Sequence, residues 1–154
     1  MVTVYFFDSS ALVKRYAREP GSRWVWATAQ PRADTTVWTS RLTWVEILSA
    51  LSRRKREGTI EEPALAREFD LLRFHFAMQY QIAEIDATVI QLAGEVVQAH
   101  PLRAADAIQL ATAMRLHAAL GPGEATFSFV CADARLLLAA EQTGLHTVNP
   151  ISAD

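Results

Sequence analysis

Short β-prone runs alternate with segments of helical period along this chain, and that alternation limits its fold more than any other feature. The runs are "VTVYFF" at 2–7, "TTVWT" at 35–39, "YQIAEID" at 80–86, "FSFVCAD" at 127–133 and "LHTVNP" at 145–150. They are rich in aromatic and β-branched residues and too short to be helices. Between them lie helical patterns. Ser9 or Ser10 is placed to cap a helix over Ala11–Arg18, and Arg23–Ala29 forms a second. Ser40 caps a third, which runs through Leu42, Val45, Leu48 and Leu51 to a stop at Gly58. "TIEE" at 59–62 has capping-box spacing before Leu65, Phe69, Leu72 and Phe76. Val89–Val96, Leu102–Leu120 and "ARLLLAAEQTG" at 134–144 complete the set. Strands alternating with helices predict an α/β fold: a central, mainly parallel sheet of about five strands flanked by helices.

The breaks are short, so residues 1–154 are expected to form a single domain. A hydrophobic fraction of 51% with 21% charged residues is that of a globular chain, not a disordered one. A formal net charge of -2 excludes a general polyanion-binding surface, so any nucleic-acid contact must be local. The one cysteine, Cys131, has no internal disulfide partner, and no Cys/His set has zinc spacing. A reducing, cytoplasmic setting is expected. The apolar run at the start is too short for a signal peptide or a membrane span.

Ligands of open α/β sheets bind outside the carboxyl ends of the strands. Asp8 and Asp133 each fall just after a predicted strand. Taken singly, each suits a turn or a helix cap as well as a site. Glu46 and Asp106 fall inside predicted helices, Asp106 on one face with Leu102, Leu110 and Ala113. An acid on an apolar face needs a partner, and an arginine salt bridge is the simpler one. Four acids brought together would be a different matter. They could stay ionised only around a cation, since like charges raise one another's pKa. Hard oxygen-preferring ions such as magnesium or manganese fit that need.

The blocks "FFDSSALVKRYAREPGS", "SRLTWVEILSALSRR", "LRAADAIQLATA" and "FVCADARLLLAAEQTGLHTVNP" together resemble a PIN-domain ribonuclease, specifically a VapC-type toxin of prokaryotic toxin–antitoxin pairs. The resemblance runs in order through nearly the whole chain. It implies a single PIN-like domain with Asp8, Glu46, Asp106 and Asp133 as the catalytic, metal-holding acids, the last being the most variable in the family. Family members often carry Ser or Thr two residues before that fourth acid, where this chain has Cys131. The resemblance further implies magnesium or manganese as cofactor, RNA as substrate, homodimerisation, and inhibition by a small VapB-type antitoxin. A DNA nuclease and a binding module with a degenerate site are the competing readings. A phosphatase using an aspartyl nucleophile would want a second acid at Ser10, and no Gly-rich phosphate turn follows the first strand.

Other polar residues carry weaker expectations. Arg53-Arg54-Lys55-Arg56 suits a solvated helix end better than a phosphate-steering patch. Lys14, Arg15 and Arg18 lie just past Asp8, where they could reach substrate or remain surface charges. Ser9 and Ser10 could cap or could touch a metal-bound water, and Asn149 could brace a loop. Trp24, Trp26, Trp38 and Trp44 are expected mostly in packing.

Overall fold

In the computed structural model, which describes residues 1–153, both faces of the first strand are covered. Strand β1 (Val2–Phe7) points Val4 and Phe6 to one side and Tyr5 and Phe7 to the other. It is followed by α1 (Ser9–Leu12) with a 3₁₀ turn at Val13–Arg15, α2 (Ser22–Thr28), β2 (Thr35–Ser40), α3 (Arg41–Arg56) and α4 (Ala64–Met78). Then come β3 (Gln81–Ala83), α5 (Ala87–Ala99), α6 (Ala104–Leu120), β4 (Ala125–Val130), α7 (Ala134–Gln142), β5 (Thr147–Val148) and α8 (Pro150–Ala153).

The five strands lie in the order β3-β2-β1-β4-β5, and every pairing is parallel. The expected α/β class and parallel sheet are therefore what the chain forms. Val4, Phe6, Phe127 and Phe129 pack beneath α5, α6 and α7. Phe7, Val37 and Val130 pack on the opposite face against α1, α2, α3 and α4. Burial on both faces explains why β1 reads as a continuous apolar run. The sheet grows outward from β1 in both directions, through β2 on one side and β4 on the other. The crevice beyond the carboxyl ends of β1 and β4 is thus a topological switch point, where such sheets bind ligands.

Several boundaries differ from the sequence expectation. The first helix is one α-turn plus a 3₁₀ turn instead of eight helical residues, because Lys14 and Arg15 turn inward, each 5% exposed. "TIEE" forms no capping box: Thr59 Oγ1 donates to the Arg54 carbonyl, and α4 begins after Pro63. The strand read at 80–86 pairs only over Gln81–Ala83, since Asp86 is taken up as the cap of α5. Likewise β4 ends at Val130, and Asp133 caps α7. The short helix α8 was not expected from the sequence.

Candidate active site

The end of β1 is pinned on both sides. The Asp8 amide donates to the Val130 carbonyl at 3.0 Å, and Thr39 Oγ1 donates to the Phe7 carbonyl at 2.8 Å. Asp8 is 2% exposed, at the base of the crevice. Its backbone is extended, which lays its own carboxylate over the start of α1, where Oδ1 accepts from the Ala11 amide at 2.9 Å. Asp8, not Ser9 or Ser10, is therefore the N-cap. Ser10 does something else. Its hydroxyl donates to both Asp8 oxygens, at 2.8 and 2.9 Å, and accepts from the Ala132 amide at 3.0 Å. Ser10 so ties the carboxyl ends of β1 and β4 together through the acid. Cys131, buried beside it, touches the Ser10 hydroxyl at 3.6 Å and accepts from the Asp133 amide at 3.2 Å. The hydroxyl that Cys131 lacks is present in this corner, supplied by Ser10.

Helices α3 and α6 bring in the next two acids. Glu46 and Asp106 are half-buried, and Asp133, at the mouth, is exposed. All three line one cavity of about 560 Å³, with Leu102, Arg103 and Arg135 among its other walls. Glu46 also lines a second cavity of about 410 Å³ with Ser9, Ser10, Val13 and Arg53. Glu46 thus stands between two lobes, with Asp8 held behind the Ser10 wall. Gln109, which the sequence reading passed over, reaches Glu46: its Nε2 donates to Glu46 Oε2 at 2.7 Å and to Thr43 Oγ1 at 2.9 Å. Its position three residues after Asp106, on the same helical face, was the available signal.

The acids act on one another. Burial pushes the Asp8 carboxyl up from 3.8 to about 7, against the bonds from Ser10 and Ala11 that favour the charged form, and the Glu46 charge adds to the rise. Burial also lifts Asp106 above its usual range, with the charges of Asp133 and Glu46 adding and Arg103 opposing. No cationic side chain pairs with Asp8 among the described residues. An uncompensated buried acid within reach of the Glu46 charge leaves an electrostatic deficit of the kind a hard cation would fill. The donor set, all carboxylate oxygen with hydroxyls nearby, has the chemistry of a magnesium or manganese site. Among the described residues no three His, Cys, Asp or Glu side chains close into a ready-made cage.

The surrounding cations divide into two groups. Lys14 is bound to Glu19 at 2.7 Å, and Arg54 and Lys55 pair with Glu19 and Glu62. Arg15 donates to Tyr80 Oη at 2.8 Å inside a buried cluster with Tyr16 and His75. Lys14 and Arg15 therefore do not reach the crevice; internal carboxylate and phenol partners hold them. Arg53, Arg103 and Arg135 form no ion pair among the described residues, and all three are exposed on the cavity walls. Of the tryptophans, Trp24 packs edge-on against Tyr5 and Trp44 against Phe76, while Trp38 lies on the core. Asn149 Oδ1 accepts from the Ile151 amide at 3.0 Å and so braces the turn into α8.

A fully parallel sheet in this order, covered by helices on both faces, defines a three-layer α/β protein with its candidate site at the switch point. The PIN domain family model matches residues 5–121, and the chain belongs to the PIN-domain family. Within it the affinity is to VapC-type members. Ribonuclease VapC45 of Mycobacterium tuberculosis (strain CDC 1551 / Oshkosh) is 38% identical over 110 residues, covering 71% of this chain and 74% of that protein. Among solved structures, VapBC2 from Rickettsia felis, bound to a DNA fragment from its promoter, superposes with a TM-score of 0.62 at 14% identity, covering 96% of this chain and 98% of that one. Mycobacterium tuberculosis VapC20, described as a sarcin-ricin loop cleaving toxin, gives 0.61 at 19% identity, covering 88% and 94%. The two structures share the fold of this chain.

Proposed function

We propose that this chain is a metal-dependent endoribonuclease, the toxin of a toxin–antitoxin pair, and that it hydrolyses RNA phosphodiester bonds at the four-acid crevice. The observation that carries the reading is a pair of facts: Asp8 is a carboxylate buried without a cation at the switch point, within reach of the Glu46 charge, and Glu46 lines one cavity with Asp106 and Asp133. Asp8, Asp106 and Asp133 would hold the ion, directly or through its waters, and Glu46 would complete the set. A magnesium or manganese ion supplies, when bound, a lowered water pKa and charge neutralisation at the phosphate. Ser10 holds both Asp8 oxygens from the side of the crevice. Glu46 orients the attacking water. Arg103 and Arg135 on one side and Arg53 on the other lie where flanking phosphates of a single strand would run. The relatives named ribonuclease VapC support an RNA substrate, and the VapBC assembly supports a VapB-type antitoxin as partner; a homodimeric toxin inhibited by that antitoxin completes the reading.

The test is Asp8→Asn and Asp106→Asn. With Mn2+ present, the parent is expected to cut RNA, and each variant to lose that cleavage while keeping the fold by circular dichroism. Retention of parental cleavage by either variant sinks the four-acid mechanism. A parallel DNA arm distinguishes a DNA nuclease, and absence of cleavage of both polymers marks a degenerate binding module.

A further inference from the structure

Three side chains, Thr43, Glu46 and Gln109, meet where α3 and α6 approach each other, and Asp106 lies one turn before Gln109. Thr43 and Glu46 lie three residues apart on α3, Asp106 and Gln109 three apart on α6, so each pair shares a helical face. Asp106 faces the cavity. Gln109 faces Glu46 and Thr43, and it is 1% exposed. Both N–H bonds of its amide are thereby used, one on the carboxylate and one on a hydroxyl. Its carbonyl oxygen, Oε1, is buried with no hydrogen-bond partner. Turning the amide over would give Oε1 a hydroxyl to meet but set it against a Glu46 oxygen, acceptor against acceptor.

A buried amide with an unpaired carbonyl is a poor way to stabilise a core. Leu, Met or Ala would fill the position without leaving an acceptor desolvated. What an apolar residue cannot do is hold one oxygen of a half-buried carboxylate. The bond to Glu46 Oε2 fixes one side of that carboxylate and leaves Oε1 as the oxygen free to turn toward the two cavities. Thr43 fixes the amide in turn, and its hydroxyl lies 3.4 Å from the Ser40 hydroxyl at the end of β2. The chain Ser40–Thr43–Gln109–Glu46 therefore sets the acid's orientation from the carboxyl edge of the sheet.

We propose that Gln109 is a positioning residue that holds Glu46 in its working orientation at the cost of an unpaired buried carbonyl. The inference rests on the reading of Glu46 as part of the phosphodiesterase centre. It assigns Gln109 to catalysis through Glu46 and not to stability.

The experiment is a double-mutant cycle in the full chain: parent, Gln109→Met, Glu46→Ala and the double variant. Each is assayed for initial rates of Mn2+-dependent cleavage of total bacterial RNA, for Mn2+ binding by calorimetry without RNA, and for thermal unfolding in chelator. Gln109→Met is expected to lower the cleavage rate by roughly 10–100-fold, the range for groups that orient metal-site carboxylates. It should weaken Mn2+ binding and leave Tm equal to the parent's or higher. In the Glu46→Ala background the same change should alter the rate by less than about two-fold, because the coupling is then absent. Thr43→Val, which removes the amide's other anchor without touching Glu46, should lower the rate by a smaller factor. An equal loss in both backgrounds, or a Gln109→Met rate equal to the parent's, overturns the inference; so does a fall in Tm that accompanies the loss. If Glu46→Ala itself leaves cleavage unchanged, the underlying reading of Glu46 fails instead.

Discussion

Asp8 is asked to carry a charge where the fold removes nearly all of its water. Its carboxyl is raised to about 7, whereas in the unfolded chain it titrates near 3.8. Below the unfolded value the group is protonated in both states and its environment costs nothing. As pH rises through 3.8 toward 7, the unfolded chain releases its proton first, and stability is lost across that window. Above pH 7 the metal-free protein therefore holds a strained carboxylate, a penalty of at most about 4 kcal/mol. Asp8→Asn keeps an oxygen to accept from Ala11 and Ser10 but removes the charge. The expected outcome in chelator is a Tm for Asp8→Asn above the parent's at pH 8, with the gain vanishing near pH 4. Saturating Mn2+ should stabilise the parent at pH 8 and not the variant. A variant less stable than the parent at pH 8 in chelator would mean that the burial of Asp8 stores no such strain.

Between elements, one close contact decides how the chain end is held. Gly21 precedes α2 with φ +91, and a Cβ built there would lie 3.0 Å from the Pro150 carbonyl carbon. Any other residue would meet both a left-handed backbone penalty and the α8 backbone. Gly21→Ala is expected to cost about 1–2 kcal/mol from handedness alone, a fall in Tm of roughly 2–8 °C. Differential scanning calorimetry checks this, and an unchanged Tm would show that residue 21 does not hold a left-handed backbone in solution. The same scale explains the misplaced caps. "DSSAL" offers three cap candidates in a row, and local chemistry does not rank them. The contacts from Val130 at the end of β4 and from Ala132 just beyond it fix Asp8 as the cap and turn Ser10 into a bridge.

Across the whole molecule, charge is arranged against its net sign. The chain carries -2, yet Arg53, Arg103 and Arg135 stand on the walls around the acids while most other cations are bound to carboxylates. Binding of single-stranded RNA should accordingly show a shallow salt dependence. Each phosphate contact contributes a slope of about 0.7 in log K against log salt. Arg103→Ala combined with Arg135→Ala is expected to weaken binding to unrelated RNA sequences alike and to reduce the slope by about 1.4. Fluorescence anisotropy at several salt concentrations, on an Asp106→Asn background to prevent cleavage, measures it. An unchanged slope would place the RNA elsewhere on the surface.

The alternation of β-prone and helix-period segments by itself determined the fold class, because two periodicities and parallel crossovers leave few other arrangements. It also placed Asp8 and Asp133 beyond strand ends, since a strand that stops before an acid is legible locally. Glu46 and Asp106 were legible as acids in helices and, through the family resemblance, as candidate site residues; the structure puts both on the wall of one cavity. What only the tertiary structure decided is which neighbours each residue meets. Lys14 and Arg15, polar and close to Asp8 in sequence, are turned into internal partners. Ser10 belongs to Asp8 and Ala132 at once, 122 residues apart in the second case. Gln109, on paper one more polar residue in an alanine-rich helix, holds Glu46 from 63 residues away. Period and propensity act over a few residues. Burial, pairing and charge are set by contacts between segments that only folding brings within reach.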